Sequence, residues 1–87
     1  MYRIFYTKQA VKDQKKLLTN IALAEKAKAI IDIIKNNPYQ NPPPYEKLVG
    51  DLSGAYSRRI NIQNRIVYSV DEKQKLVKII RLWTHYE

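Results

Sequence analysis

The chain contains no cysteine, which removes disulfides, thiolate nucleophiles and cysteine-based zinc frameworks from consideration. A single histidine, His85, leaves no histidine-rich metal site, so neither a metal nor a cofactor is expected. No apolar run approaches the roughly 20 residues that span a bilayer. The opening Met1-Tyr2-Arg3 lacks the apolar stretch of a signal peptide. These absences predict a cytoplasmic protein with no membrane partner. Glycine occurs only twice against 45% hydrophobic residues, a folding composition rather than a disordered one. Acids are scarce: 8 Asp and Glu face 16 Lys and Arg, for a net charge of +8. Such a field favours polyanions, although lysines that merely keep a small helical protein soluble give the same composition. A chain of 87 residues buries only roughly 60–65% of its unfolded surface, which predicts one domain over 1–87.

Residues 2–7 alternate and are rich in aromatic and β-branched types, predicting an opening strand that Thr7 ends as a helix N-cap. From Lys8 to about Leu18 the less polar positions Ala10, Val11, Gln14, Leu17 and Leu18 recur at helical spacing, with Lys8, Lys12, Lys15 and Lys16 around them. Thr19-Asn20 breaks the run. A second helix is predicted from about Ala22 to Lys35, with Leu23, Ala27, Ile30, Ile31 and Ile34 on one stripe. Asn36-Asn37-Pro38 ends it, and the segment through Pro42-Pro43-Pro44 is barred from helix and central strand. Beyond it the period becomes two, predicting strands over 55–62, 65–70 and 76–83 joined by short turns. The expected fold is α+β. A β-α-α-β-β-β chain packs its two-helix hairpin on one face of a small antiparallel sheet of about four strands.

The other face of that sheet is where chemistry is expected. Arg58, Arg59, Arg65 and Arg81 all fall in strands, and the arginine fork matches phosphate oxygens. Edge-strand arginines that discourage aggregation are the alternative. Strand parity sharpens the question. An even loop after Ile62 puts Arg58 on the face of Arg65, whereas a bulge that makes it odd puts Arg59 there. Glu46 follows the proline run as the lone acid between Asp32 and Asp51, placed to act as a general base. His85 directly follows the last apolar strand and can donate a proton near neutral pH. A carboxylate, arginines and a histidine suffice to cut RNA without metal. The base takes the 2′-hydroxyl proton, cations stabilise the phosphorane and the acid protonates the leaving 5′-oxygen. Tyr56 and Tyr86 are candidates to stack on unpaired bases, while Tyr68 and Trp83 read as core.

Leu48, Leu52-Ser53-Gly54, Ser57-Arg58-Arg59-Ile60, Arg65-Ile66-Val67-Tyr68 and the ending His85-Tyr86 closely resemble the Txe/YoeB branch of the RelE/ParE toxin superfamily. The resemblance covers about Tyr45 to Tyr86. It implies a RelE-like fold and a toxin of a type II toxin–antitoxin system, an mRNA interferase that cuts messages in the decoding site of the ribosome. It implies Glu46 as general base, Arg65 as phosphate stabiliser and His85 as general acid, with Tyr86 placing the RNA. It favours Arg59 over Arg58 at the site, and hence a bulged hairpin. Where the family carries a lysine after the leucine this chain has Val49, leaving Lys47 as the nearest substitute cation. The implied partners are the ribosome, mRNA and an antitoxin with an acidic, partly disordered tail, for which a basic surface is suited. The family also tends toward homodimers. Two other readings stay open: a non-catalytic ParE-like inhibitor of gyrase, and a basic RNA-binding module whose aromatics stack on bases.

Overall fold

Thr7 is where the first strand ends and the first helix begins. Its Oγ1 accepts from the Ala10 amide at 3.1 Å and donates to the Ile80 carbonyl at 3.0 Å, so one hydroxyl caps the helix and fastens it to the sheet. The computed structural model describes residues 1–50 and 53–85, the last three by their backbone only. Its elements are β1 (Arg3–Tyr6), α1 (Lys8–Leu17), α2 (Ile21–Asn36), β2 (Glu46–Lys47), β3 (Ala55–Arg59), β4 (Asn64–Asp71) and β5 (Leu76–His85). Asn20 caps α2 in the same manner, its Oδ1 accepting from the Leu23 amide at 3.2 Å. Lys35 lies in the last turn, where the helix dipole favours a cation. No helix of the described residues is long and apolar enough to cross a membrane.

The strands form one sheet in the order β1-β5-β4-β3-β2, so the α+β arrangement is as expected but differs in two details. β1 runs parallel to β5, from Arg3↔Leu76 to Tyr6↔Ile79, rather than joining an all-antiparallel sheet. Distant strands can pair in either direction, whereas the hairpin-linked strands β3, β4 and β5 are antiparallel of necessity. The fifth strand is the two-residue β2, paired to the outer edge of β3. It is too short to show a period, and the prolines before it hide it.

The core lies where the helices meet the sheet. Ala10 and Leu17 of α1 and Leu23, Ala27 and Ile34 of α2 pack on Ile66, Tyr68, Val77, Ile79 and Leu82. The stripe on α2 is the expected one, with Ile30 and Ile31 partly buried at its margin. That on α1 is narrower. Val11 and Leu18 are exposed, and the fully buried polar residue on this helix is Asp13. Its Oδ2 accepts from Arg81 Nε at 2.8 Å and from the Leu82 amide at 3.1 Å, and its Oδ1 accepts from Gln9 Nε2 at 3.1 Å. A buried carboxylate is tolerable because it is paired and hydrogen-bonded.

A second polar clasp closes the far end of the sheet. Glu72, in the turn between β4 and β5, accepts from the hydroxyls of Tyr2 at 2.8 Å and Tyr39 at 2.5 Å and pairs with Lys75 at 3.1 Å. These donors, Tyr39 foremost, hold its carboxyl at a pKa of about 2. A carboxylate whose pKa is lower folded than unfolded stabilises above its unfolded value, about 4.3, and loses that contribution as pH falls through the folded one. Wild type is therefore expected to melt above Glu72→Gln at neutral pH, with the gap narrowing from about pH 5 down to about pH 2. Thermal melts across that range test it, and a gap independent of pH would refute the clasp's ionic contribution.

Candidate active site

Between the last paired positions of β3 and β4, Arg59 and Arg65, stand residues 60–64, an odd number, and the parity question is decided by it. Asn61 shapes the turn by accepting from the Gln63 and Asn64 amides at 2.9 and 2.7 Å. The resulting register pairs Arg59 with Arg65, Arg58 with Ile66 and Ser57 with Val67. Directly paired residues share a face, so Arg59 and Arg65 stand together and Arg58 points to the opposite side, into the core.

Two of the four arginines of β3, β4 and β5, Arg58 and Arg81, therefore have structural duties. Arg58 is 1% exposed; its Nε donates to the Tyr68 hydroxyl at 3.0 Å, its Nη1 to the Pro43 carbonyl at 2.6 Å, and its Nη2 to the carbonyls of Pro38 and Gln40 at 3.0 and 2.8 Å. The expectation that Arg58 meets RNA is corrected: its charge is enclosed and four of its five N–H donors are committed to the protein. Arg81 is likewise drawn away from the expected phosphate site by its ion pair with Asp13.

Glu46 joins the remaining two arginines through β2, where it pairs with Ser57 of β3. Its Oε2 lies 3.6 Å from Arg65 Nη1, with side-chain exposures of 67% for Glu46 and 21% for Arg65. The same Nη1 donates to Ser57 Oγ at 3.4 Å. Pro44, Tyr45, Glu46, Ser57, Arg59 and Arg65 line a cleft of about 260 Å³. Ser57 received no role from the sequence, although it shares the parity of Arg59 on β3 and opens the stretch Ser57-Arg58-Arg59-Ile60.

Lys47 is not part of this lining. It pairs with Tyr56, and alternation along the strand turns it from the face that Glu46 occupies, which corrects its expected place beside the phosphate. Val49 is 86% exposed and supplies no charge. Tyr68 is fully buried, as expected, and Tyr56 packs edge-on against Tyr39 and Tyr45 with centroids 5.7 and 5.6 Å away. The backbone of His85 pairs with Asn64, the neighbour of Arg65 on β4. The His85 and Trp83 side chains and all of Tyr86 lie outside the described residues. Among the described residues no three acidic, histidine or cysteine side chains gather into a metal site. Among the described residues the cleft lining offers one carboxylate, two guanidinium groups, the hydroxyl of Ser57 and the phenol of Tyr45.

A mixed sheet carrying a helical hairpin recurs in toxins of known structure. Residues 6–86 match the family described as YoeB-like toxin of bacterial type II toxin–antitoxin system. Toxin YoeB of Synechocystis sp. is 36% identical over 75 residues, 86% of this chain and 78% of that protein. Among solved structures, the YoeB–YefM toxin–antitoxin complex of Staphylococcus aureus superposes with a TM-score of 0.83 at 33% identity, covering 99% of both chains. The YoeB/ParE toxin of Agrobacterium tumefaciens gives 0.87 at 28% identity, over 97% of this chain and 99% of that one. The chain belongs to the YoeB-like family of type II toxins, with the α+β, RelE-like fold of that group.

Proposed function

We propose that this toxin is a ribosome-dependent, metal-independent mRNA endoribonuclease in which Glu46 is the base, Arg65 the phosphate stabiliser and His85 the acid. The observation that carries the reading is the open pairing of Glu46 and Arg65 at 3.6 Å in a cleft that also holds Arg59. That separation exceeds the 2.7–3.2 Å or so of a good hydrogen bond, and pairs this exposed contribute at most about 1 kcal/mol. An entering phosphodiester can therefore take the guanidinium from the carboxylate at little cost. Freed of its partner, Glu46 accepts the proton of the 2′-hydroxyl as that oxygen attacks phosphorus. Arg65 then faces the two charged oxygens of the phosphorane, a fork-to-fork match. His85 gives its proton to the departing 5′-oxygen, leaving a 2′,3′-cyclic phosphate. Arg59 and Tyr86 hold the flanking RNA, and the ribosome supplies an mRNA bent for in-line attack.

The partner that silences such a toxin is an acidic antitoxin, to which a net charge of +8 is complementary. An apolar groove of about 590 Å³ among β1, α1 and α2, where Leu18 and Ile21 are exposed, offers such a partner an apolar surface whose lining carries Lys28 and Lys35 alongside Glu25 and Asp32.

The test maps cleavage products on translating ribosomes. Wild type is expected to cut, with Glu46→Gln and His85→Ala binding ribosomes but cutting about 100-fold or more slowly. Either variant cutting at the wild-type rate would remove that residue from the mechanism. Gyrase inhibition without any RNA cleavage would instead favour a ParE-like inhibitor, and RNA binding without growth arrest a plain binding module.

A further inference from the structure

We propose that buried Arg58 is a positioning residue for the reaction, a latch that holds the proline segment so that Glu46 stands at its working distance from Arg65. This rests on the nuclease reading above. The segment 38–44 runs directly into β2, and a proline has a carbonyl but no N–H to donate. A stretch rich in prolines therefore offers its neighbours acceptors and few donors. Only a side chain with several donors in a fixed geometry can bind it at more than one point.

Arg58 does so. Its guanidinium reaches Pro38 at the start of the segment, Gln40 in its middle and Pro43 three residues before Glu46. It also lies 4.9 Å from the centroid of the Tyr45 ring, the residue adjoining Glu46. The latch is itself anchored, because its Nε donates to the Tyr68 hydroxyl, which donates in turn to the Pro38 carbonyl at 2.8 Å. β2 has two paired positions, Glu46↔Ser57 and Lys47↔Tyr56, too short a ladder to fix a carboxylate within fractions of an ångström. Arg58 occupies β3 between Ser57, the strand partner of Glu46, and Arg59 of the cleft. One strand thereby presents a cation to substrate on one face and braces the base from the other.

A double-mutant cycle separates positioning from general stabilisation. Wild type, Arg58→Lys, Glu46→Gln and the double variant are compared for single-turnover mRNA cleavage and for binding on programmed ribosomes. Lysine keeps the charge but cannot span three carbonyls. Arg58→Lys is expected to lower the maximal rate by about 10- to 100-fold, the penalty of a base misplaced by about 1 Å. Half-saturation should move by less than about 2-fold, and the same change in the Glu46→Gln background should cost less than about 3-fold, because coupled residues are not additive. An undiminished rate, an equal loss in both backgrounds, or a loss confined to ribosome affinity would overturn the latch. Glu46→Gln cutting at the wild-type rate would instead overturn the nuclease reading beneath it. Should Arg58→Lys fail to fold, Tyr68→Phe, which removes one anchor of the guanidinium, takes its place in the same cycle with an expected loss of several-fold.

Discussion

Arg65→Ala is expected to cut ribosome-bound mRNA about 100- to 1,000-fold more slowly than wild type, while melting at nearly the same temperature. The rate loss is that of removing a preorganised donor from a charge that develops only in the transition state. The small change in stability follows from the surroundings: the Glu46 carboxylate left behind is 67% exposed and is rehydrated at once. Arg65→Lys keeps the charge and loses the fork, so an intermediate loss of about 10-fold is expected. Cleavage assays on stalled ribosomes alongside thermal melts measure both quantities. A variant that cuts normally, or one that fails only because it is unfolded, would contradict the role given to this residue.

The largest expected effect on stability lies elsewhere, at Asp13. Asp13→Ala removes a fully buried carboxylate and leaves the Leu82 amide without that acceptor. The Arg81 side chain is 37% exposed and can turn to water, so the penalty comes chiefly from the stranded amide and the lost packing. Together these cost about 2–3 kcal/mol, a drop of roughly 10–20 °C in Tm for a domain of this size. Asp13→Asn retains an oxygen for the amide and is expected to lose about half as much. Chemical denaturation of the two variants checks the order. If Asn were as damaging as Ala, the ion pair with Arg81 would matter more than the bond to Leu82.

Much of the fold was legible because local rules and tertiary packing agree. Thr7 and Asn20 cap their helices as their side chains favour, and the α2 stripe from Leu23 to Ile34 repeats at the helical period because one face of that helix is buried. The stripe on α1 misled at Val11 and Leu18, since hydropathy assigns an acid such as Asp13 to the surface and cannot foresee that Arg81 and the Leu82 amide will meet it. The strand β2 escaped notice for want of length. The candidate site divides along the same line. Glu46 and Arg65 stand out by residue type and by resemblance, but their closeness depends on the pairing of β2 with β3, which no local pattern around Glu46 announces.

By itself the sequence determined the order of every element but β2, the surplus of cations and the few side chains that carry a carboxyl or an imidazole, because these follow from composition and from periods spanning a few neighbours. Tertiary structure alone decided which arginine does what. Arg58 and Arg59 are adjacent and chemically identical, yet an odd number of residues between the paired arginines Arg59 and Arg65 sends one to the proline carbonyls and the other to the cleft. Side chains alternate along a strand, so one residue more or less in the turn exchanges the faces.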